Sequence, residues 1–280
     1  MNISFPNRHP FELVLFFYPS AGLRWNSPRS LALSTAWAKL RRRSRSIGHV
    51  GVMLISPEKT ILTGMTQADV REGQREVLSS AYGFGILFHN FRGKLETEAD
   101  LAPELEARSW KKGKLSYLRI QLNENTHSRL EHYAREFGEL GYDAFYGMNN
   151  RPRFGEGSGC SAFAVSFLEI AGLFTKNLES FWLRNFLVPD ALIGGPGIGK
   201  GRRVFFPGLI RAGKWANVAE THEVGSLFDP DLMHQWVEKM RLESRGNPDS
   251  LYRTEEWNAA QGVSFDATTI PTPDEPLFHF

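Results

Sequence analysis

Cysteine is almost absent from this sequence: among 280 residues there is one, Cys160. A lone thiol excludes an intrachain disulfide and any multi-cysteine metal site, so packing or chemistry must explain it. An excess of one charge is also missing, since 33 Lys and Arg stand against 31 Asp and Glu for a net of +2. That balance argues against a nucleic-acid partner, and the run Arg41, Arg42, Arg43, Arg45 reads as a solvated helix end just before a strand, with contact to phosphate or anionic lipid as the alternative. Long hydrophobic runs are absent too. The apolar stretch Phe11–Tyr18 contains Glu12 and lacks a basic flank and a small-residue cleavage site, so it reads as a strand and not as a signal peptide. No uncharged run approaches the ~18 residues of a membrane span. The expected location is the cytoplasm, or outside it by a signal-peptide-independent route. The histidines other than His49 form no metal-ligand pattern, so no metal is expected, and chemistry at the lone thiol needs no organic cofactor. No repeat or low-complexity tract is present.

What remains is ordinary globular composition, 41% hydrophobic and 23% charged, enough for one large core or two modest ones. After the strand at 11–18, Ser27 and Pro28 open a helix, and the segments 47–55 and 60–65 form a β-hairpin around Ser56-Pro57. Residues 66–80 suit a helix, YGFGILFHNF (82–91) a strand, LAPELEARSW (101–110) a charged connection, and 115–122 another strand. Asn125 caps a helix to Leu140 with Leu130, Tyr133 and Phe137 on one face. A loop rich in Gly, Asn and Arg (146–159) leads into CSAFAVSFLEIAGLF, an apolar helix that starts at Cys160. A helix follows Asp229, and the polar, proline-containing stretch 246–280 is expected to be poorly ordered.

The first turn of a helix stabilises a thiolate through unpaired N–H groups and the helix dipole, which makes Cys160 a candidate nucleophile. Gly157, Ser158 and Gly159 before it leave room for a substrate carbonyl, whose oxyanion the Cys160 N–H would bind. The bland alternative is a small buried hydrophobe at the start of an apolar helix. His49, inside an apolar strand with Gly48 and Gly51 making room, is a candidate base, although a satisfied core histidine is the commoner fate of such a residue.

Together, GHVGVML with its second strand, and Tyr146-Gly147 followed by Gly159-Cys160-Ser161-Ala162-Phe163, resemble the His hairpin and nucleophile segment of the NlpC-type thiol peptidases. The order differs from the ordinary one, because here the histidine precedes the cysteine. That is the order of the circularly permuted branch, which includes the lecithin:retinol acyltransferase-like enzymes and bacterial proteins of poorly known substrate. The resemblance covers 47–65 and 146–172. It implies an α+β papain-like fold, an antiparallel sheet packed on the Cys helix. It also implies a cysteine-dependent hydrolase cleaving an amide bond in a peptide or cell-wall peptide stem. A thiol acyltransferase or lipid esterase, or an inactive binding protein, stays open beside that reading. The family's third polar residue falls at Thr63, an unusual type there and the best support for an inactive protein, with Gln67 as a substitute. Tyr146, Ser158, Gly159 and Ser161 are the expected substrate-side residues.

The expected organisation is a catalytic core at 1–175, a C-terminal extension at 176–245 and the tail at 246–280. Two other features are set aside. GGPGIGK at 194–200 lacks the Ser or Thr and the helix of a phosphate-binding loop, and RRVFFP after it looks like a strand. His222 lies in polar, unstrand-like surroundings and ranks below His49 as a base. Phe181, Trp182, Phe186, Phe205 and Phe206 suit an ordinary core, or a groove for an acyl substrate.

Overall fold

The computed structural model describes residues 5–40, 47–70 and 81–279. Two largely apolar runs organise it. ELVLFFY forms β1 (Glu12–Tyr18) and HVGVMLI forms β2 (His49–Ile55), and every residue of both strands is buried. Strands that read as continuous hydrophobic runs need cover on both faces, and these have it. Leu13, Leu15, Phe17, Val50, Val52 and Leu54 point to one side, while Val14, Phe16, Tyr18, Met53 and Ile55 point to the other. Full burial of each such Leu, Val or Phe contributes ~1.5–3 kcal/mol.

Around this pair grows an eight-stranded sheet. The expected hairpin closes with β3 (Thr60–Gln67), followed by β4 (Phe91–Glu96), β5 (Ser116–Gln121) and the short β6 (Phe145–Tyr146). The last two strands, β9 (Arg253–Trp257) and β10 (Ala260–Asp266), come from the chain's end, and the order is β6-β4-β3-β2-β1-β5-β10-β9. All pairings are antiparallel except β10 with β5, so the architecture is α+β with an antiparallel-dominated sheet.

The helices divide between the two faces. Under the Leu13–Val50 face lie α3 (Glu124–Glu139) with Leu130, Tyr133 and Phe137, and α4 (Cys160–Ile170) with Phe163 and Phe167. The first is capped by Asn123 and not Asn125, since the Asn123 side-chain Oδ1 accepts from the Thr126 N–H at 2.9 Å. The opposite face is covered by α2 (Glu98–Ser109) through Leu101, Ala102 and Leu105.

Several expectations are corrected. The charged connection at 101–110 belongs to helix α2, whose start is marked by the Asp100 carboxylate accepting from the Thr97 N–H at 3.0 Å, a local signal in the sequence. YGFGILFHNF is a short 3-10 helix at Phe84–Phe88, and the strand begins at Phe91. The stretch 246–280 is integral to the fold: β9 and β10 extend the sheet, Val263 enters the core, and Phe278 packs on Tyr133. Alternating apolar positions in AQGVSFD carry that assignment, which prolines elsewhere in the stretch obscured. Of the expected helix at 66–80, residues 71–80 lie outside the described residues, as do Arg41, Arg42, Arg43 and Arg45.

The segment after α4 builds a smaller unit. It contains α5 (Lys176–Trp182), β7 (Leu183–Pro189), α6 (Phe206–Arg211) and β8 (His222–Phe228), then α7 (Pro230–Ser244) returns to the sheet through Met233, Trp236 and Val237. In the RRVFFP segment Arg202 and Val204 make single β-bridges to Gly195 and Tyr82, and the helix begins only at Phe206, helped by Pro207 in its first turn, while His222 opens a strand. The β7–β8 pair packs with α1 (Pro28–Leu40) around Leu31, Ala32, Phe186, Val188 and Leu209. Among the described residues no helix is long and apolar enough to cross a membrane.

Candidate active site

Cys160 is the first residue of α4, and His49 is the first residue of β2. Helix and strand pack together, and their leading residues meet: the thiol and the imidazole are hydrogen-bonded. Cys160 is 8% exposed and His49 3%. The helix is preceded by Gly159 in extended conformation as its N-cap, with no side-chain oxygen to occupy the first-turn N–H groups. Those donors stay directed at the end of the helix where the sulfur sits. A Cβ on Gly159 would lie 3.1 Å from the Gly147 carbonyl oxygen, so the residue's smallness lets the preceding loop close against Cys160.

The imidazole is held from its other side by a residue that sequence reasoning missed. Nε2 of His49 lies 2.7 Å from Oε2 of Glu96, and both side chains are almost completely buried. The register explains how a residue two strands away arrives there. His49 and Gly51 share one face of β2, Gly51 pairs with Gly64 of β3, and Gly64 pairs with Glu96 of β4. Since Gly64 has no side chain, the Glu96 carboxylate crosses β3 to reach the ring. A Cβ on Gly64 would sit 2.8 Å from Oε2 and 3.6 Å from Nε2.

Thr63 and Gln67, the expected third residues, lie at odd positions of β3, and their side chains project to the opposite face from that of Gly64. Thr63 instead donates its hydroxyl to the Glu96 carbonyl at 3.2 Å, which ties β3 to the end of β4 behind the carboxylate. Gln67 lies further along, paired with Gly93. The carboxylate beside the imidazole is thus that of Glu96.

Tyr146 is placed by β6, paired with Phe91 at the sheet edge, and its side chain is hydrogen-bonded to Cys160. Burial and the neighbouring sulfur push its phenol well above the usual value, so it remains protonated and donates to the thiolate. Ser161 brings its hydroxyl to 3.8 Å from Sγ. Ser158 is fully buried and structural: its N–H donates to the Phe145 carbonyl at 3.0 Å and its hydroxyl to the Gly159 carbonyl at 2.8 Å. Of the expected substrate-side residues, Tyr146 and Ser161 meet the sulfur, Gly159 frames it, and Ser158 braces the loop.

These surroundings set the thiol's acidity. Burial alone would raise it, but the positive His49 imidazole, together with hydrogen bonds from His49, Tyr146 and Ser161, brings it down to about 7. The chain Cys160–His49–Glu96 thus has the geometry of a nucleophile, a base and an orienting carboxylate.

The chain matches no protein-family model, no curated protein and no solved structure. His222, the alternative base, directs Nδ1 to the Glu220 carbonyl at 2.6 Å on the smaller unit. The aromatic residues after α4 separate into two groups: Trp182 and Phe186 are core, whereas Phe205 and Phe206 are 55% and 43% exposed.

Proposed function

We propose that this protein is a thiol-dependent acyl-transfer enzyme of permuted papain-like architecture, acting as a hydrolase on an amide bond. One observation carries the reading: a buried thiol at a helix N-terminus, hydrogen-bonded to a histidine whose other side meets a buried carboxylate at 2.7 Å. A satisfied core histidine needs one partner and a packing cysteine needs none, so three such groups in series are better accounted for by catalysis. The weak third position at Thr63, which favoured an inactive binding protein, loses that force once Glu96 occupies the role.

In the proposed cycle His49 takes the thiol proton, leaving a thiolate–imidazolium pair steadied by Glu96 and by the Tyr146 hydroxyl. The sulfur attacks the carbonyl carbon, and the Cys160 N–H receives the oxyanion, an interaction of a kind worth ~10²–10³ in rate per donor. As the C–N bond breaks, the imidazolium gives its proton to the departing amine and a thioester remains. Water, losing a proton to His49, attacks the thioester, releasing the carboxylic acid product and restoring the thiol. A peptide or cell-wall peptide stem is the substrate class the sequence resemblance suggests.

The test is the pH dependence of Cys160 alkylation by iodoacetamide in the native protein, the His49→Ala variant and denatured protein. An inflection near 7 in the native protein, moved in the variant toward the ~8.5 of a free thiol, supports the pair. Equal and slow labelling in both folded proteins would make Cys160 a packing residue.

A further inference from the structure

Charge is segregated in a chain whose net is only +2. No Asp or Glu occurs between Glu12 and Glu58, a stretch with seven Lys or Arg, and none occurs between Asp190 and Glu220, a stretch with five. The remainder of the chain therefore carries a net of −10. Helices from these two distant stretches pack side by side: α1 lies on α6, and the Arg29 N–H donates to the Ala212 carbonyl at 3.2 Å. On this unit Arg29, Lys200, Arg202, Arg203 and Arg211 are all exposed. In a nearly neutral protein a locally cationic surface of this kind presents a directed field.

The same unit exposes large apolar side chains. Leu33, Trp37 and Leu40 are 42%, 55% and 73% exposed, and their spacing aligns them on one side of α1. Phe205 and Phe206 are exposed at the start of α6, with the Arg203 guanidinium 5.2 Å from the Phe205 ring centre. Apolar groups interleaved with cations suit the interface of an anionic membrane, where the rings and aliphatic chains enter the acyl boundary and the cations meet headgroups. A nucleic acid would use the cations and rings, but Leu33 and Leu40 offer nothing to a phosphate or a base edge.

We propose that the α1–α6 unit docks the protein peripherally on an anionic lipid bilayer. This goes beyond the catalytic reading and does not depend on it. The docked unit borders the thiol, because Met148, in the loop before Cys160, packs on the core that α1 and α6 share. Docking would present that loop to material held at the membrane.

The experiment is co-sedimentation of the full chain with phosphatidylcholine vesicles, with and without phosphatidylserine, at low and high salt. The expected result is binding to the phosphatidylserine vesicles alone, weakened by salt. The double variant Arg202→Glu/Arg203→Glu should lower partitioning by at least about 25-fold, given about fivefold for each cation lost near the surface. A separate Leu33→Ser/Leu40→Ser variant should weaken binding while retaining the salt dependence; the altered side chains of both variants are exposed, and an unchanged melting temperature checks their folding. Equal binding to both vesicle types, no binding to either, or binding to a short RNA without binding to vesicles would each overturn the proposal.

Discussion

Replacing Glu96 with Gln keeps the side chain's shape and removes one charge from a contact closed to water. It therefore isolates the electrostatic part of the Cys160–His49–Glu96 chain. The two side chains in contact are 4% and 3% exposed, so solvent screens little of the attraction. At an effective dielectric of about 20, unit charges with centres about 4 Å apart attract by ~4 kcal/mol. The cost of burying the carboxylate offsets part of this, and we take ~2 kcal/mol as the net loss to the imidazolium. Since that cation is the thiolate's counter-charge, the same energy appears as a rise of ~1.5 pH units in the thiol titration. The inflection moves from about 7 to the ~8.5 of a free thiol. At pH ~6.5 the thiolate fraction falls from roughly a quarter to roughly a hundredth, so alkylation slows ~25-fold, while above pH ~9.5 the two proteins react nearly alike. The assay is the pH profile of iodoacetamide labelling at Cys160, followed by mass spectrometry. A Glu96→Gln profile that overlays the wild type would show that the carboxylate does not set the charge state of the pair. Slow labelling at every pH would point to lost access instead.

Three further outcomes are expected. Gly64→Ala removes no polar group but places a methyl 2.8 Å from Oε2 of Glu96, so it should displace the carboxylate and shift the labelling profile in the direction of Glu96→Gln. Tyr146→Phe deletes a donor to the thiolate; a hydrogen bond to a charged group is worth ~1.5–3 kcal/mol, so the thiol inflection should rise by ~1–2 pH units, read by the same assay. Arg119→Met removes a guanidinium that contacts Glu12 and Glu255 at 2.5 and 2.9 Å, leaving Glu12 buried without that cation and Glu255 with only Arg8 at 3.7 Å, and should cost ~3–5 kcal/mol in urea unfolding at neutral pH. Burial already raises Glu12 against the opposing Arg119 charge, so in this variant the folded state binds protons more readily than the unfolded one. The loss should accordingly shrink as pH falls toward the raised Glu12 value.

Local chemistry was legible in the sequence by itself. An apolar segment of helical length announced that Cys160 begins a helix, and the turn at Ser56-Pro57 announced the hairpin that carries His49, because capping, turn formation and side-chain periodicity act over a few residues. Those two residues, with Tyr146 and Ser161, were assembled in the expected place. Glu96 was not, since its role depends on a register across three strands and on the missing side chain of Gly64. No window of sequence contains that relation, and the nearer candidates Thr63 and Gln67 fail because a strand turns every other side chain away. The order of the chain's end is hidden from the sequence for a related reason: β10 is buried only because β5 offers it an edge, and a short strand cannot hold its shape without a partner. Segregated charge had the same character. The two acid-free stretches are visible in the sequence, but only the packing of α1 on α6 brings exposed cations of both, such as Arg29 and Arg211, onto one unit, since burial and electrostatic fields depend on distance in space.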